Sequence, residues 1–287
     1  MEKISATFLF LNLVFLTAGP VFSQDDKPAD YRLITDQLDR PSSVYVTPRA
    51  EIYVTERGAH RLLKFNAAGE RMDAMGNQGL GDFQFDSPMD VDATNGLKIY
   101  VADYNNRRVQ VYDNRFQYLS TIRQTEGARF SGDVKPSVIT TNPISDLFIY
   151  DEDRHRILKY NSNGVFELVA NLRKREIESV TDMSASQDHL FLLDKKQQVI
   201  QIYNHLVQFR RFIGGWTDLK TISVSHEQLV AVDGSELIHM NLRGSVQNRV
   251  NLGHNDVVSV SFYGRNLAVI TEDSLYIYDF PFLEQFR

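Results

Sequence analysis

One strand-like stretch recurs six times along this chain, and that recurrence restricts the fold more than anything else in it. The copies are Ile52–Glu56 (IYVTE), Ile99–Asp103 (IYVAD), Leu147–Asp151 (LFIYD), Leu190–Asp194 (LFLLD), Leu229–Asp233 (LVAVD) and Leu267–Thr271 (LAVIT). Their last positions are separated by 47, 48, 43, 39 and 38 residues. A first strand precedes each copy, centred on Val44, Val91, Ile139, Met183, Ile222 and Val260, always 11 or 12 residues upstream of the closing position. The constant offset marks a rigid hairpin, so the variation in repeat length falls between repeats. In the second repeat the hairpin turns on Asn95-Gly96, and apolar residues alternate with polar or small ones on both sides. That pattern signals antiparallel strands joined by a tight turn.

A third strand follows each copy: 62–65, 109–112, 157–160, 200–203, 237–240 and 275–278. A fourth is readable in five repeats, near 72–75, 118–122, 166–172, 209–213 and 246–252. Four strands in about 40–50 residues is the period of a β-propeller, whose blades hide their two faces only against each other. The chain is therefore expected to be all-β, a six-bladed β-propeller with blade cores near 41–76, 87–123, 136–172, 179–214, 219–252 and 256–280. The last repeat lacks a fourth strand, while Tyr31–Thr35 precedes the first repeat without a place in it. The N-terminal strand at 31–35 is thus predicted to join the last blade and close the ring.

Composition agrees with one large β core: 287 residues, 43% hydrophobic, with 18 Phe and 13 Tyr. Residues 1–23 read as targeting rather than fold. Lys3 precedes an apolar run from Thr7 to Ala18, Gly19-Pro20 ends it, and cleavage is expected after Ser23. The run is too short to span a bilayer comfortably, so the mature chain at 24–287 is expected to carry no membrane span. There is no cysteine, which excludes disulfides and a lipidated cysteine at the cut. The expected location is the bacterial periplasm or the cell exterior, and the expected state is a monomer. The net charge of −6 argues against a general grip on nucleic acid.

Several stretches resemble the NHL repeat: Gly79–Phe85, Ser87–Val91, Ile99–Asp103 and Asn106–Tyr112 in the second blade; Pro41–Val44, Tyr53–Glu56 and His60–Phe65 in the first; and Pro136–Val138, Ile149–Asp151 and His155–Tyr160 in the third. The likeness is clear over roughly residues 41–165 and fades in blades four to six. There Val199 stands where Arg is expected, and Thr271 replaces the acid. The resemblance implies a six-bladed propeller used mainly as a binding platform, bacterial and exported in this case. It also leaves open metal-dependent lyases of the peptidyl-hydroxyglycine or streptogramin kind.

The acids Glu56, Asp103, Asp151, Asp194 and Asp233 close equivalent strands, and Arg61, Arg108 and Arg156 each lie five residues after one. Recurrence favours a structural pairing within blades over a ring of cation ligands. His60 and His155 hold the same loop position, matched by Arg107 and Gln198 in blades two and four, and His226 and His254 fall in or near other connections. A zinc site drawing on His60 and His155 is the metal alternative, although no HxxxH or HExxH spacing exists. Asp90, Asp92 and Asp182 lie on innermost strands. They bond to backbone or channel water or, alternatively, hold calcium. Arg173, Lys174, Arg175, Arg210 and Arg211 form the one place where cations and aromatics interleave, a candidate polyanion contact and, as a second alternative function, a local nucleic-acid-binding patch. Trp216, the sole Trp, is expected exposed in a connection and available to a partner. No GxSxG, phosphate-cradling Gly loop or dinucleotide fingerprint is present. The sequence thus predicts a non-catalytic scaffold that recognises a protein or envelope polymer through loops on one face, with no obligatory cofactor.

Overall fold

Each repeat folds into one four-stranded antiparallel sheet, and six such sheets form the molecule. The computed structural model describes residues 28–94, 96–123, 133–173, 177 and 179–284; the expected signal peptide at 1–23 lies outside them. Blade I is β2 (Pro41–Val46), β3 (Ile52–Glu56), β4 (Arg61–Phe65) and β5 (Arg71–Met75). Blade II is β6 (Pro88–Asp92), β7 (Lys98–Asp103), β8 (Arg108–Asp113) and β9 (Tyr118–Ile122). Blade III is β10 (Pro136–Thr141), β11 (Leu147–Asp151), β12 (Arg156–Tyr160) and β13 (Phe166–Asn171). Blade IV is β14 (Val180–Ala185), β15 (His189–Asp194), β16 (Val199–Asn204) and β17 (Phe209–Ile213). Blade V is β18 (Leu219–Ser225), β19 (Gln228–Asp233), β20 (Glu236–Asn241) and β21 (Val246–Asn251). Blade VI joins β22 (Ser259–Tyr263), β23 (Asn266–Ile270) and β24 (Leu275–Asp279) to β1 (Tyr31–Thr35) from the other end of the chain. Tyr31 pairs with Tyr278 and Leu33 with Tyr276.

The burial pattern explains why the second strand of each repeat is the best conserved in pattern. Strands β3, β7, β11 and β15 are buried almost throughout, because both of their faces meet a neighbouring blade. The outer strand β5 is largely open to solvent, and β21 is partly so and mostly polar. Apolar clusters fill the spaces between blades. Tyr53 and Leu62 of blade I meet Val91 and Ile99 of blade II in one of them. Ile270 and Leu275 of blade VI meet Val44 and Val54 of blade I in another, so the seam of the ring is packed like the other junctions.

Turn chemistry fixes the register of the outer strands. In the turn between third and fourth strands, an Asn or Asp accepts N–H bonds two and four residues on. Asn161 Oδ1 accepts from Asn163 and Val165, Asn241 Oδ1 from Arg243 and Ser245, and Asp113 Oδ1 from Arg115 and Gln117. The left-handed residue of each turn is Gly164, Gly244 and Phe116 respectively, and the strand register shifts beside it. This is an Asx-type turn closing on a bulge.

Candidate functional site

The innermost strands β2, β6, β10, β14, β18 and β22 adjoin one another around the central channel. Each is the edge of its sheet, so part of its backbone N–H groups lack a ladder partner and need another acceptor. Side chains of the preceding blade supply it. Asp90 Oδ2 accepts from Ile139 N at 2.7 Å, and Asp92 Oδ2 from Thr141 N at 3.0 Å. Asp182 Oδ2 accepts from Ile222 N at 2.9 Å and from Thr221 Oγ1 at 2.7 Å. Ser184 and Ser261 do the same for Val224 and Val46, each at 2.9 Å. The three channel aspartates therefore join blades II to III and IV to V.

Burial pushes all three carboxyls up, Asp90 well above its ordinary value and Asp182 to about 6, while the N–H bonds they accept pull the other way. A carboxyl whose folded pKa exceeds the unfolded value holds its proton longer when folded. Its contribution to stability is full below the unfolded pKa and is lost as pH rises through the folded one. For Asp182 the shift from 3.8 to about 6 corresponds to about 3 kcal/mol. Asp182→Asn should thus gain stability relative to wild type as pH rises from 4 to 7. Urea unfolding at several pH values checks this; a difference that stays flat or shrinks would refute the assignment.

The repeated acids lock the loop that enters each blade. Asp103 Oδ1 accepts from Asp86 N at 2.7 Å, Glu56 Oε1 from Asp39 N at 2.7 Å, Asp151 Oδ1 from Lys135 N at 3.1 Å, and Asp233 Oδ1 from Asp218 N at 2.6 Å. Asp194 is buried as well and accepts from Gln197 N. The arginines five residues on bond to the same carboxylates: Arg108 Nε to Asp103 at 2.7 Å, Arg156 Nε to Asp151 at 2.8 Å, and Arg61 Nε to Glu56.

His60, Arg107, His155 and Gln198 share a different property: all four have φ between 49° and 56°. The position is the left-handed residue of the hairpin between second and third strands, a conformation for which His is enriched. Its side chain then reaches the next blade in three cases, and in one of them Arg107 Nη2 donates to Asp153 Oδ2 of blade III at 2.6 Å. His60 Nδ1 accepts from Ser87 N at 3.1 Å, and Gln198 Oε1 accepts from Leu219 N at 2.5 Å. His155 Nδ1 instead meets the Tyr150 hydroxyl at 3.0 Å. The two histidines are held in separate blades by separate partners. Among the described residues no three His, Cys, Asp or Glu side chains converge in a way that could hold a metal ion.

The basic stretch is divided by the fold. Arg173 follows the end of β13, whereas Arg210 and Arg211 lie within β17, the equivalent strand one blade on. Lys174 and Arg175 lie outside the described residues. Arg211 donates to the carbonyls of Leu242 at 2.8 Å and Arg243 at 2.9 Å, in the outer turn of blade V. Arg32, Lys64 and Lys98 make the corresponding bonds to Ala67 and Ala68, to Asn114 and to Ser162. The cation comes from a different strand in different blades, but each time it ties a blade to the outer turn of its neighbour. Trp216 differs from the expectation: it is half-buried against the cluster between blades IV and V, and its Nε1 donates to Ile213 O at 3.3 Å. A Gly-Gly-Trp connection allows the ring to fold back onto apolar surface, which takes part of it out of solvent.

Where the first strand of every repeat ends, the channel opens into a cavity of about 200 Å³ lined by all six blades. Its floor is rich in hydroxyls, from Thr94, Thr141, Ser184, Ser223 and Ser261, around Asp92. Asp92 is not available as a base. Its Oδ1 accepts from Thr94 N, Thr94 Oγ1 and Thr141 Oγ1, and its Oδ2 from Thr141 N and Thr140 Oγ1. The lip carries Tyr45, the exposed Pro48 and Pro143, and the ring pair His226–Tyr263 at 5.5 Å. Ser225 Oγ lies 3.2 Å from His226 Nδ1. Of these lip residues only His226 stood out in sequence, because they are spread over four repeats. The available signal was their common place, one to four residues beyond the centre of the first strand.

Residues 85–112 match the NHL repeat. Human NHL repeat-containing protein 3 is 30% identical over 80 residues, covering 27% of this chain and 23% of that protein. The aligned part is thus less than a quarter of the relative's length. Among solved structures, a gluconolactonase from Xanthomonas campestris superposes with a TM-score of 0.67 at 12% identity, covering 92% of this chain and 99% of the other. A catalytically inactive virginiamycin B lyase from Staphylococcus aureus, solved with quinupristin, gives 0.63 at 11% identity over 87% and 98%. A nidogen/laminin complex gives 0.59 at 15% identity over 74% and 80%. Identities this low speak to the propeller fold alone, and the same fold serves enzymes and binding proteins.

Proposed function

We propose that this chain is a non-catalytic exported binding propeller that takes a protein or an extended envelope polymer at the channel mouth. The cavity shared by all six blades carries this reading. Its lip is built from proline and ring side chains, which lose little conformational entropy on docking. Its floor offers hydroxyls that donate or accept as a ligand requires. The one carboxylate there is committed to five donors, which supports recognition rather than acid–base chemistry.

Paired variants test it. His226→Ala and Tyr263→Ala should each weaken capture of the partner from an envelope extract by about ten-fold or more, as for a central interface anchor. Leu119→Ala, on the exposed outer edge of blade II, should leave capture unchanged. Capture that survives both lip changes, with thermal stability intact, would move the binding face elsewhere.

A further inference from the structure

Arg108 and Arg156 hold the same place in blades II and III, yet their guanidinium forks end differently. Arg108 Nη1 donates to Leu80 O at 2.8 Å, and Nη2 donates to Gly81 O at 2.9 Å and Gln84 O at 2.8 Å. Arg156 is also buried, at 6% exposure, and is anchored through Nε on Asp151. Its Nη2, however, has no acceptor among the described residues. A buried guanidinium N–H without a partner is unusual and points to something that completes it.

A cavity of about 390 Å³ lies beside it, lined by Arg154, Arg156, Val169, Asn171 and Arg173. Three arginines line it. Among the described residues one carboxylate, Asp151, is in contact with two of them, bonded to Arg156 Nε at 2.8 Å and to Arg154 Nη1 at 3.5 Å. Arg154 Nη1 also donates to Asp133 O at 2.5 Å, which holds that side chain in place. Arg173 is exposed at the rim, and its backbone N donates to Asn171 Oδ1 at 3.0 Å. Among the described residues positive charge thus exceeds negative, and the innermost donor is fixed by its ion pair before any ligand arrives.

We propose that this cleft is an oxyanion site, for a phosphate, sulfate or carboxylate group. In blade II the equivalent fork takes three carbonyl oxygens, and a tetrahedral oxyanion presents a comparable set of oxygens to a single guanidinium. A planar fork with a second and third Arg alongside is the usual protein answer to that geometry. The site is separate from the channel mouth and does not depend on the reading given for it.

Calorimetry with inorganic phosphate and with sulfate, at constant ionic strength set by chloride, tests the assignment. One anion should bind per chain. Arg173→Ala and Arg154→Ala should each weaken it about ten-fold, the effect of losing one charge-assisted hydrogen bond. Arg156→Lys keeps a cation beside Asp151 but loses the fork, and should weaken binding at least as much while the chain stays folded. Arg249→Ala, an exposed cation on blade V, should change nothing. A sulfated oligosaccharide run in parallel separates a free ion from a polymer-borne group by which of them competes at the lower concentration. No binding at millimolar phosphate or sulfate overturns the proposal. So does binding that ignores all three cleft variants, or binding that Arg249→Ala weakens equally.

Discussion

Arg108→Ala is expected to cost about 3–5 kcal/mol, the range for removing one partner of a fully buried ion pair. Asp103 is 0% and Arg108 1% exposed as side chains, so water cannot replace the lost cation. The same change frees the carbonyls of Leu80, Gly81 and Gln84 and releases the loop that Asn106 and Tyr112 also hold, at Gly79 O and Asp82 O. At this chain length the loss corresponds to a fall in Tm of roughly 10 °C. Burial also orders the equivalent changes. The Arg156 side chain is 8% exposed and Arg61 is 32% exposed, so Arg61→Ala should be the mildest of the three. A double-mutant cycle with Asp103→Asn should show strong coupling, because the second change removes the charge that the first leaves stranded. If Arg61→Ala proved as costly as Arg108→Ala, the pairing would not be the source of the effect.

How much of this was legible before the structure follows from where each contact lies along the chain. The strand Ile52–Glu56 and its five copies were readable because a strand between two blades is apolar throughout and ends at a hairpin. The acid–arginine pairs were readable for a similar reason: five residues span one hairpin, and the two side chains meet within it. Contacts between blades were not readable. Asp182 and Ile222 are 40 residues apart, and their bond depends on the angle between successive sheets, which no local pattern encodes. The shared loop position of His60 and His155 was visible, and the structure gives it a common backbone conformation, φ near 50°, that the sequence did not disclose. The convergence of His226 and Tyr263 at the mouth depends on how blades V and VI pack against each other, again a matter of the angle between successive sheets.

A chain that begins at residue 41 is expected to melt about 15 °C below one that begins at residue 28. Strand β1 covers the outer edge of β24, with Tyr31, Arg32, Leu33 and Thr35 in register against Tyr278, Ile277, Tyr276 and Leu275. Arg32 then bonds to the Ala67 and Ala68 carbonyls of blade I, so the same strand spans the seam. Behind it Ile34 packs against the cluster between blades VI and I, and Leu38 lies within that cluster at 6% exposure. Burying side chains of this kind contributes about 1.5–3 kcal/mol each, before the lost ladder bonds are counted. A loss of about 5 kcal/mol gives the stated fall in Tm. The bare edge of β24 would also be a template for pairing with another chain, so concentration-dependent association should accompany the instability. A chain that begins at residue 36 separates the strand from Leu38. It should lose most of the stability and recover part of it when a peptide of residues 28–40 is supplied, by strand addition at the open edge. Melting within about 2 °C of the longer chain, or no response to the peptide, would mean that three strands suffice in blade VI and that the ring is held by the packing of Ile270 and Leu275 against Val44 and Val54 alone.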